Sequence, residues 1–228
     1  MGPGGFRPRT FVDSLLERER SELLAVGRKR SWQRGDVLVR VGDRVDSATV
    51  LLSGSVKVHR TTAEGSEVVL ALVGPGDLLG EMSAVGDAVR SANATALEPL
   101  EAVVIPVPDL RGFLSNHPHA MLALLEMAVT RLHQADLRRI EFATAGSFAR
   151  VTTRIVELAE QFGSAGDDGA IEVGIPLTQE ELAAWSASSR ESTARALHTL
   201  RELGLLETRR RRLIVRDLEK LRPHAARL

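Results

Sequence analysis

The chain has 228 residues, 43% hydrophobic and 26% charged, enough for one large domain or two small ones. Thirty basic and thirty acidic side chains cancel, which excludes a uniformly basic nucleic-acid coat, but residues 186–228 hold eleven basic against five acidic groups, a local +6 suited to a polyanion. The absence of cysteine excludes disulfides, thiolate metal sites, cysteine-ligated clusters and cysteine nucleophiles together.

Residues 1–11 are rich in Gly, Pro and Arg. They lack an apolar stretch of signal-peptide length, and no run approaches the roughly 18 apolar residues of a membrane span, so a soluble cytoplasmic protein with no membrane partner is expected. Leu15, Leu16, Glu19, Leu23 and Leu24 recur at helical spacing and predict one short helix. From Trp32 to about Pro108 the pattern changes to short Val/Leu runs: 37–39, 49–52, 56–58, 68–70 and 103–105. Glycines at 35, 42, 54, 65, 74 and 76 cut them, and no run is long enough for a buried helix. This predicts antiparallel strands closing into a roll.

Residues 109–115 predict a short helix ending at Asn116-His117-Pro118, after which no Gly or Pro interrupts until Ala145. Met121, Leu125, Ala128, Leu132, Ala135, Arg139 and Phe142 then follow alternating steps of four and three, a heptad seam with one Arg in it. A helix that long, about 40 Å, with so narrow a seam is expected to dimerise with a second copy of the chain. His117 and His119 read as capping or exposed side chains rather than metal ligands. Gly146-Ser147 interrupts, a helix resumes from Phe148 to Phe162, residues 163–169 read as a loop, and Ile171-Glu172-Val173 as a strand. The expected division is a β-roll over 1–117, a dimerisation helix over 118–145 and a DNA-binding domain over 146–228. The fold class is therefore α+β, an antiparallel jelly-roll-like β-roll followed by a long helix and a winged helix-turn-helix.

In the last segment Thr178 and Glu181 form a capping pattern for a helix to about Trp185, and Ser188 or Ser189 can cap a second helix from Arg190 to Leu203. Its inward face is predicted to be Thr193, Ala196, Leu197 and Leu200, with Gly204 closing it. Arg190, Glu191 and Arg195 lie near its N-terminus, where Arg can pair with guanine O6/N7 and Glu can accept from cytosine N4. Residues 205–208 and 213–215 read as a two-stranded wing with Arg209, Arg210, Arg211 and Arg212 at its tip for phosphate contacts. Sparse aromatics, 4% with no tyrosine, disfavour a single-strand reader built on stacking. In the β region, the backbone at Gly80 with Arg90 and Ser91 could clamp a phosphate, and Glu81 could accept from a sugar hydroxyl. That set suits a cyclic phosphate fused to ribose. No GxxxxGK[ST], HExxH or GxSxG motif occurs, so no enzyme and no bound metal or cofactor are expected.

From about residue 11 to 220 the chain resembles the cyclic-AMP receptor protein family of bacterial transcription regulators. Gly80-Glu81-Met82-Ser83 with Arg90-Ser91-Ala92 is similar to that family's phosphate-binding cassette, and Arg131 falls where the family pairs an Arg with the ribose-binding Glu. Ser189-Arg190-Glu191-Ser192-Thr193-Ala194-Arg195 is similar to its recognition helix, with Thr178 and Gln179 opening the preceding one. The resemblance implies cAMP as effector, palindromic TGTGA-like half-sites on double-stranded DNA, and RNA polymerase as a further partner. Three departures stand out. Ala135-Asp136 occupies the place of hydroxyl or amide side chains over the base, Gly146 the place of a hinge Asp, and Ala187 that of a turn Gly. The alternatives are a relative that binds DNA without ligand or answers another effector, and a nucleotide-binding module acting through a protein partner.

Overall fold

The computed structural model describes residues 9–81, 89–166, 169–209 and 212–226. These form two compact units, one of residues 9–61 with 69–133, the other of 62–68 with 134–226.

The first unit opens with two helices, α1 (Phe11–Ser14) and α2 (Glu17–Ala25), where the leucine spacing predicts one. The break has a local cause. Thr10 and Asp13 cap α1 reciprocally, while the Glu19 carboxylate accepts from the Leu16 N–H at 2.9 Å and starts a new helix there. Leu15 is thereby turned inward and Leu16 left exposed.

Two antiparallel sheets follow. One has the order β1 (Arg28–Trp32), β8 (Leu100–Pro106), β3 (Ser47–Ser53), β6 (Leu78–Leu79); the other β2 (Val37–Val39), β7 (Asn93–Ala96), β4 (Val56–Thr61), β5 (Glu67–Val73). Successive side chains of a strand point to opposite faces, and here both faces of the first sheet are buried. Leu51, Leu79, Leu100 and Ala102 meet Val56 and Ala94 between the sheets. Ala48, Val50, Val103 and Ile105 face the other way, onto Leu23, Leu110, Phe113 and Leu124 of the helices. The predicted strands are all present. β1, β6 and β7 are additional: β1 is Arg-Lys-Arg-Ser-Trp with four exposed positions, and β7 is Asn-Ala-Thr-Ala, so neither carries a β-branched run.

Helix α3 (Val107–Asn116) leads into α4 (Pro118–Thr144), 27 residues long. At 1.5 Å per residue α4 spans about 40 Å. Its first half belongs to the first unit, where Ala120, Ala123 and Leu124 join the core; its last turns belong to the second.

The second unit is built on α5 (Ser147–Phe162), whose Val151, Ile155 and Leu158 are fully buried. Around it lie α6 (Gln179–Trp185), α7 (Arg190–Glu202), α8 (Leu218–Leu221) with a 3-10 turn (Arg222–His224), and a four-stranded sheet in the order β11 (Leu206–Arg209), β12 (Arg212–Val215), β10 (Ile171–Val173), β9 (Gly163–Ala165). The sheet corrects two expectations. Residues 163–165 are a strand rather than a loop, and the wing is joined to β10 rather than standing as a two-stranded ribbon. Gly-Ser-Ala carries no strand signal of its own; its pairing comes from the backbone ladder to β10, a tertiary effect.

Candidate effector site and nucleic-acid interface

The buried pair Leu78-Leu79 delivers Gly80 at φ +80°, a left-handed conformation that favours glycine. A β-carbon there would lie 2.3 Å from Arg90 Nη1, so the missing side chain is what lets the guanidinium lie against the Gly80 backbone. Arg90 is held from both ends. Its backbone pairs with Gly42 and Asp43, each at 2.9 Å, and its Nη2 donates to the Ser47 carbonyl at 2.6 Å. The side chain is 10% exposed, with the Asp46 carboxylate 3.8 Å away. Burial pulls the guanidinium below its usual range, and Asp46, Asp43 and Glu81 pull it back. The result is a desolvated cation beside a backbone with no side chain in the way, an arrangement that can bind an anion.

Next to it, Glu81 accepts from Arg131 Nη1 at 2.5 Å, and Arg131 Nη2 donates to the Leu78 carbonyl at 2.9 Å. Arg131, on α4, thus fixes both the carboxylate and the strand that carries it. Ser91 is exposed and Ala92 buried. Met82 and Ser83 lie outside the described residues.

In the second unit Thr178 caps α6: its hydroxyl accepts from the Glu181 N–H at 3.1 Å, and the Glu181 carboxylate accepts from the Thr178 N–H at 2.8 Å. The turn to α7 passes through Ala187 at φ +47°, among the described residues the one non-glycine in the left-handed region. Ser189 then caps α7, accepting from the Ser192 N–H at 3.0 Å. Thr193, Ala196, Leu197 and Leu200 are buried, the face expected from the sequence. The helix closes with the Leu205 N–H on the Leu200 carbonyl and the Gly204 N–H on that of Arg201, a Schellman motif with Gly204 at φ +68°.

That buried face leaves Arg190, Glu191 and Arg195 outward, with side chains 74%, 79% and 65% exposed. Arg190 is ion-paired with Glu180, and Arg195 with Glu191 and the Ser192 hydroxyl. On the sheet, Arg209 faces Arg212 at the end of the β11–β12 ladder, and Arg212 pairs with Glu172. Arg210 and Arg211 lie outside the described residues.

Residues 29–117 match the family model of the cyclic nucleotide-binding domain, and residues 149–223 that of the Crp-like helix-turn-helix domain. The cyclic AMP receptor protein of Thermus thermophilus is 30% identical over 183 residues, covering 80% of this chain and 81% of that protein. The chain belongs to the CRP family of transcription regulators. Another relative, a CRP-like cAMP-activated global transcriptional regulator of Mycobacterium tuberculosis, is 29% identical over 190 residues, covering 83% of this chain and 84% of its own. The structure of FixK2 from Bradyrhizobium japonicum superposes with a TM-score of 0.79 at 17% identity, over 89% of this chain and 99% of that one, and so shares the fold. The family is one of regulators rather than enzymes. No helix among the described residues is long and apolar enough to cross a membrane.

Within this CRP-family chain the structure brings Gly80, Glu81, Arg90 and Arg131 together around Leu78–Leu79 and Ser47. Ala135 and Asp136 are exposed on the part of α4 that belongs to the second unit, and Asp136 pairs with Arg139 at 3.3 Å on its own helix. The seam residues Met121, Leu125, Ala128, Leu132, Ala135, Arg139 and Phe142 are all exposed in the single chain, Leu125 at 58% and Leu132 at 64%.

Sequence reasoning missed two arginines on α5. Arg150 donates to the carbonyls of Ala145 (2.7 Å), Ser186 (2.9 Å) and Ala187 (2.8 Å), joining the end of α4 to the turn between α6 and α7. Arg154, fully buried, pairs with Glu141 of α4 and Glu157, with its guanidinium 5.5 Å from the Trp185 ring centre. One signal for Arg154 existed: it stands on the stripe of Val151, Ile155 and Leu158, where a charge needs a buried partner. Arg150 had none.

Proposed function

We propose that this regulator binds palindromic double-stranded DNA as a homodimer under the control of cAMP held in the β-roll. One observation carries the effector reading: Arg90 occupies the space left by Gly80, beside a carboxylate that Arg131 fixes. A cyclic phosphate would take Arg90, Ser91 and the Gly80 backbone, and the ribose hydroxyl would take Glu81. The names of the Thermus and Mycobacterium relatives, both linked to cAMP, support that choice. The exposed leucines of the α4 seam support a dimer, since a second copy would cover them.

On DNA, Arg190, Glu191 and Arg195 would read G, C and G of a TGTGA-like half-site, with Ser189, Ser192, Thr178, Gln179 and Arg209 to Arg212 on the phosphates. The dimer axis would place half-site centres about 34 Å apart. The division of labour follows the chain: β-roll over 1–117, dimer helix over 118–145, DNA binding over 146–228, in the cytoplasm, with RNA polymerase as the partner at a promoter. Ala135 offers a base no hydrogen bond and Asp136 pairs with Arg139 on its own helix, which supports a second reading, a family member that answers a different effector or none.

Fluorescence anisotropy of a labelled TGTGA palindrome, with and without cAMP, tests both. Binding that needs cAMP and is lost in Arg90→Ala supports the first reading. Equal binding without nucleotide supports the second, and no DNA binding under any condition leaves a nucleotide-binding module that works through a protein partner.

A further inference from the structure

The geometry points to Glu180 as a positioning residue that sets the sequence specificity of Arg190; this rests on the DNA reading above. Glu180 is the second residue of α6 and Arg190 the first of α7, and their ion pair spans the turn between the two helices. Glu180 is not needed to start α6, because Thr178 and Glu181 cap each other. Nor does the pair hold the fold together: the two side chains are 74% and 67% exposed, where ion pairs are weak. Its position, at the first turn of the helix that carries the base-reading side chains, gives it a different use.

The contact runs through Arg190 Nη2 and Glu180 Oε1. A guanidinium is a rigid fork of five N–H donors, so a carboxylate at one end orients the plane and leaves the opposite edge for two parallel bonds to guanine O6 and N7. Orienting the side chain beforehand removes rotamer freedom that would otherwise be lost on binding. The same carboxylate makes Arg190 a poor phosphate ligand, because a phosphate reaching that guanidinium also meets the Glu180 charge. Guanine brings no such charge. Glu180 therefore separates base contact from backbone contact, which are the two things a surface arginine can do on DNA.

Selection from a random duplex pool by the full-length protein tests this, followed by titrations of the selected and a scrambled duplex at two salt concentrations. Arg190→Ala identifies the G·C pair that Arg190 reads. Glu180→Gln is expected to relax preference at that same pair by about three- to tenfold. It should also tighten binding to the scrambled duplex and steepen the salt slope by about one per protomer, as the freed arginine finds a phosphate. The melting curve should not move. If Glu180→Gln tightens binding to every sequence with preference at that pair intact, Glu180 merely repels DNA and the inference is overturned. If the wild type selects no sequence at all, the DNA reading fails and takes the inference with it.

Discussion

The Glu141–Arg154 pair is the most exposed to test because it is the most deeply buried. Both side chains are 1% accessible, and the pair joins the last turns of α4 to α5 beneath Trp185. Arg154→Met removes one charge and leaves the Glu141 carboxylate in the interior, which for a broken buried pair costs about 3–5 kcal/mol. In a unit of this size 1 kcal/mol moves the melting midpoint by about 4–8 °C, so a fall of roughly 12 °C or more is expected. Burial already pushes the Glu141 carboxyl up while Arg154 pulls it down. Without Arg154 its folded pKa lies further above the unfolded one, so the folded state holds the proton more tightly and stability falls as pH rises. The loss should therefore be larger at pH 8 than at pH 5, by up to about 1.4 kcal/mol per pH unit below the folded pKa. The double variant Glu141→Leu/Arg154→Met should recover most of the loss, since among the described residues Glu141 Oε1 and Arg154 Nε have no hydrogen-bond partner to forfeit. Trp185 fluorescence in a Trp32→Phe background follows the second unit alone. An Arg154→Met protein melting within about 1 kcal/mol of wild type at pH 8 would refute the reasoning.

Leu132→Glu places a carboxylate in the seam, and the proposed dimer should fall to monomer by light scattering with loss of tight DNA binding; an intact dimer would discard the α4 interface. Ala187→Gly should raise stability by about 0.5–1 kcal/mol in urea titration, the relief of a left-handed alanine less the added freedom of the unfolded chain. Burial raises the Glu19 carboxyl, but the Leu16 N–H and His119 more than offset this, so its net shift is downward. Its contribution is thus complete above the unfolded value of about 4.3 and lost as pH falls through the folded one. The stability advantage of wild type over Glu19→Gln should accordingly be full at pH 6 and shrink as the pH is taken down through the acid range.

What the sequence disclosed followed the strength of its local signals. α7 was legible to within a residue at its ends, because a serine cap, the buried stripe and Gly204 agree, although the sequence left Ser188 and Ser189 both open as its cap. β9 was not, because Gly-Ser-Ala acquires its strand conformation from β10. The break between α1 and α2 was hidden by leucines that fit one helix as well as two. At the candidate effector site the motif pointed to Gly80, Glu81 and Arg90, but only the fold shows Arg90 held by the Ser47 carbonyl, 43 residues away. The side chains that tie α4 to the α6–α7 turn were illegible for the same reason: Arg150 spends its donors on carbonyls, which leave no trace in side-chain identity.

Each described arginine proposed to meet DNA already has an acid at its side: Arg190 has Glu180, Arg195 has Glu191, Arg209 has Glu207 and Arg212 has Glu172. The protein in effect carries its own counter-ions. An arginine that leaves its acid for a phosphate strands a carboxylate, which then recruits a cation from solution as the DNA releases one. Net ion release per contact is smaller than a count of arginines suggests, so affinity should decline more gently with salt. The field reaching beyond a Debye length is weak as well, so capture of DNA depends on close approach more than on long-range attraction.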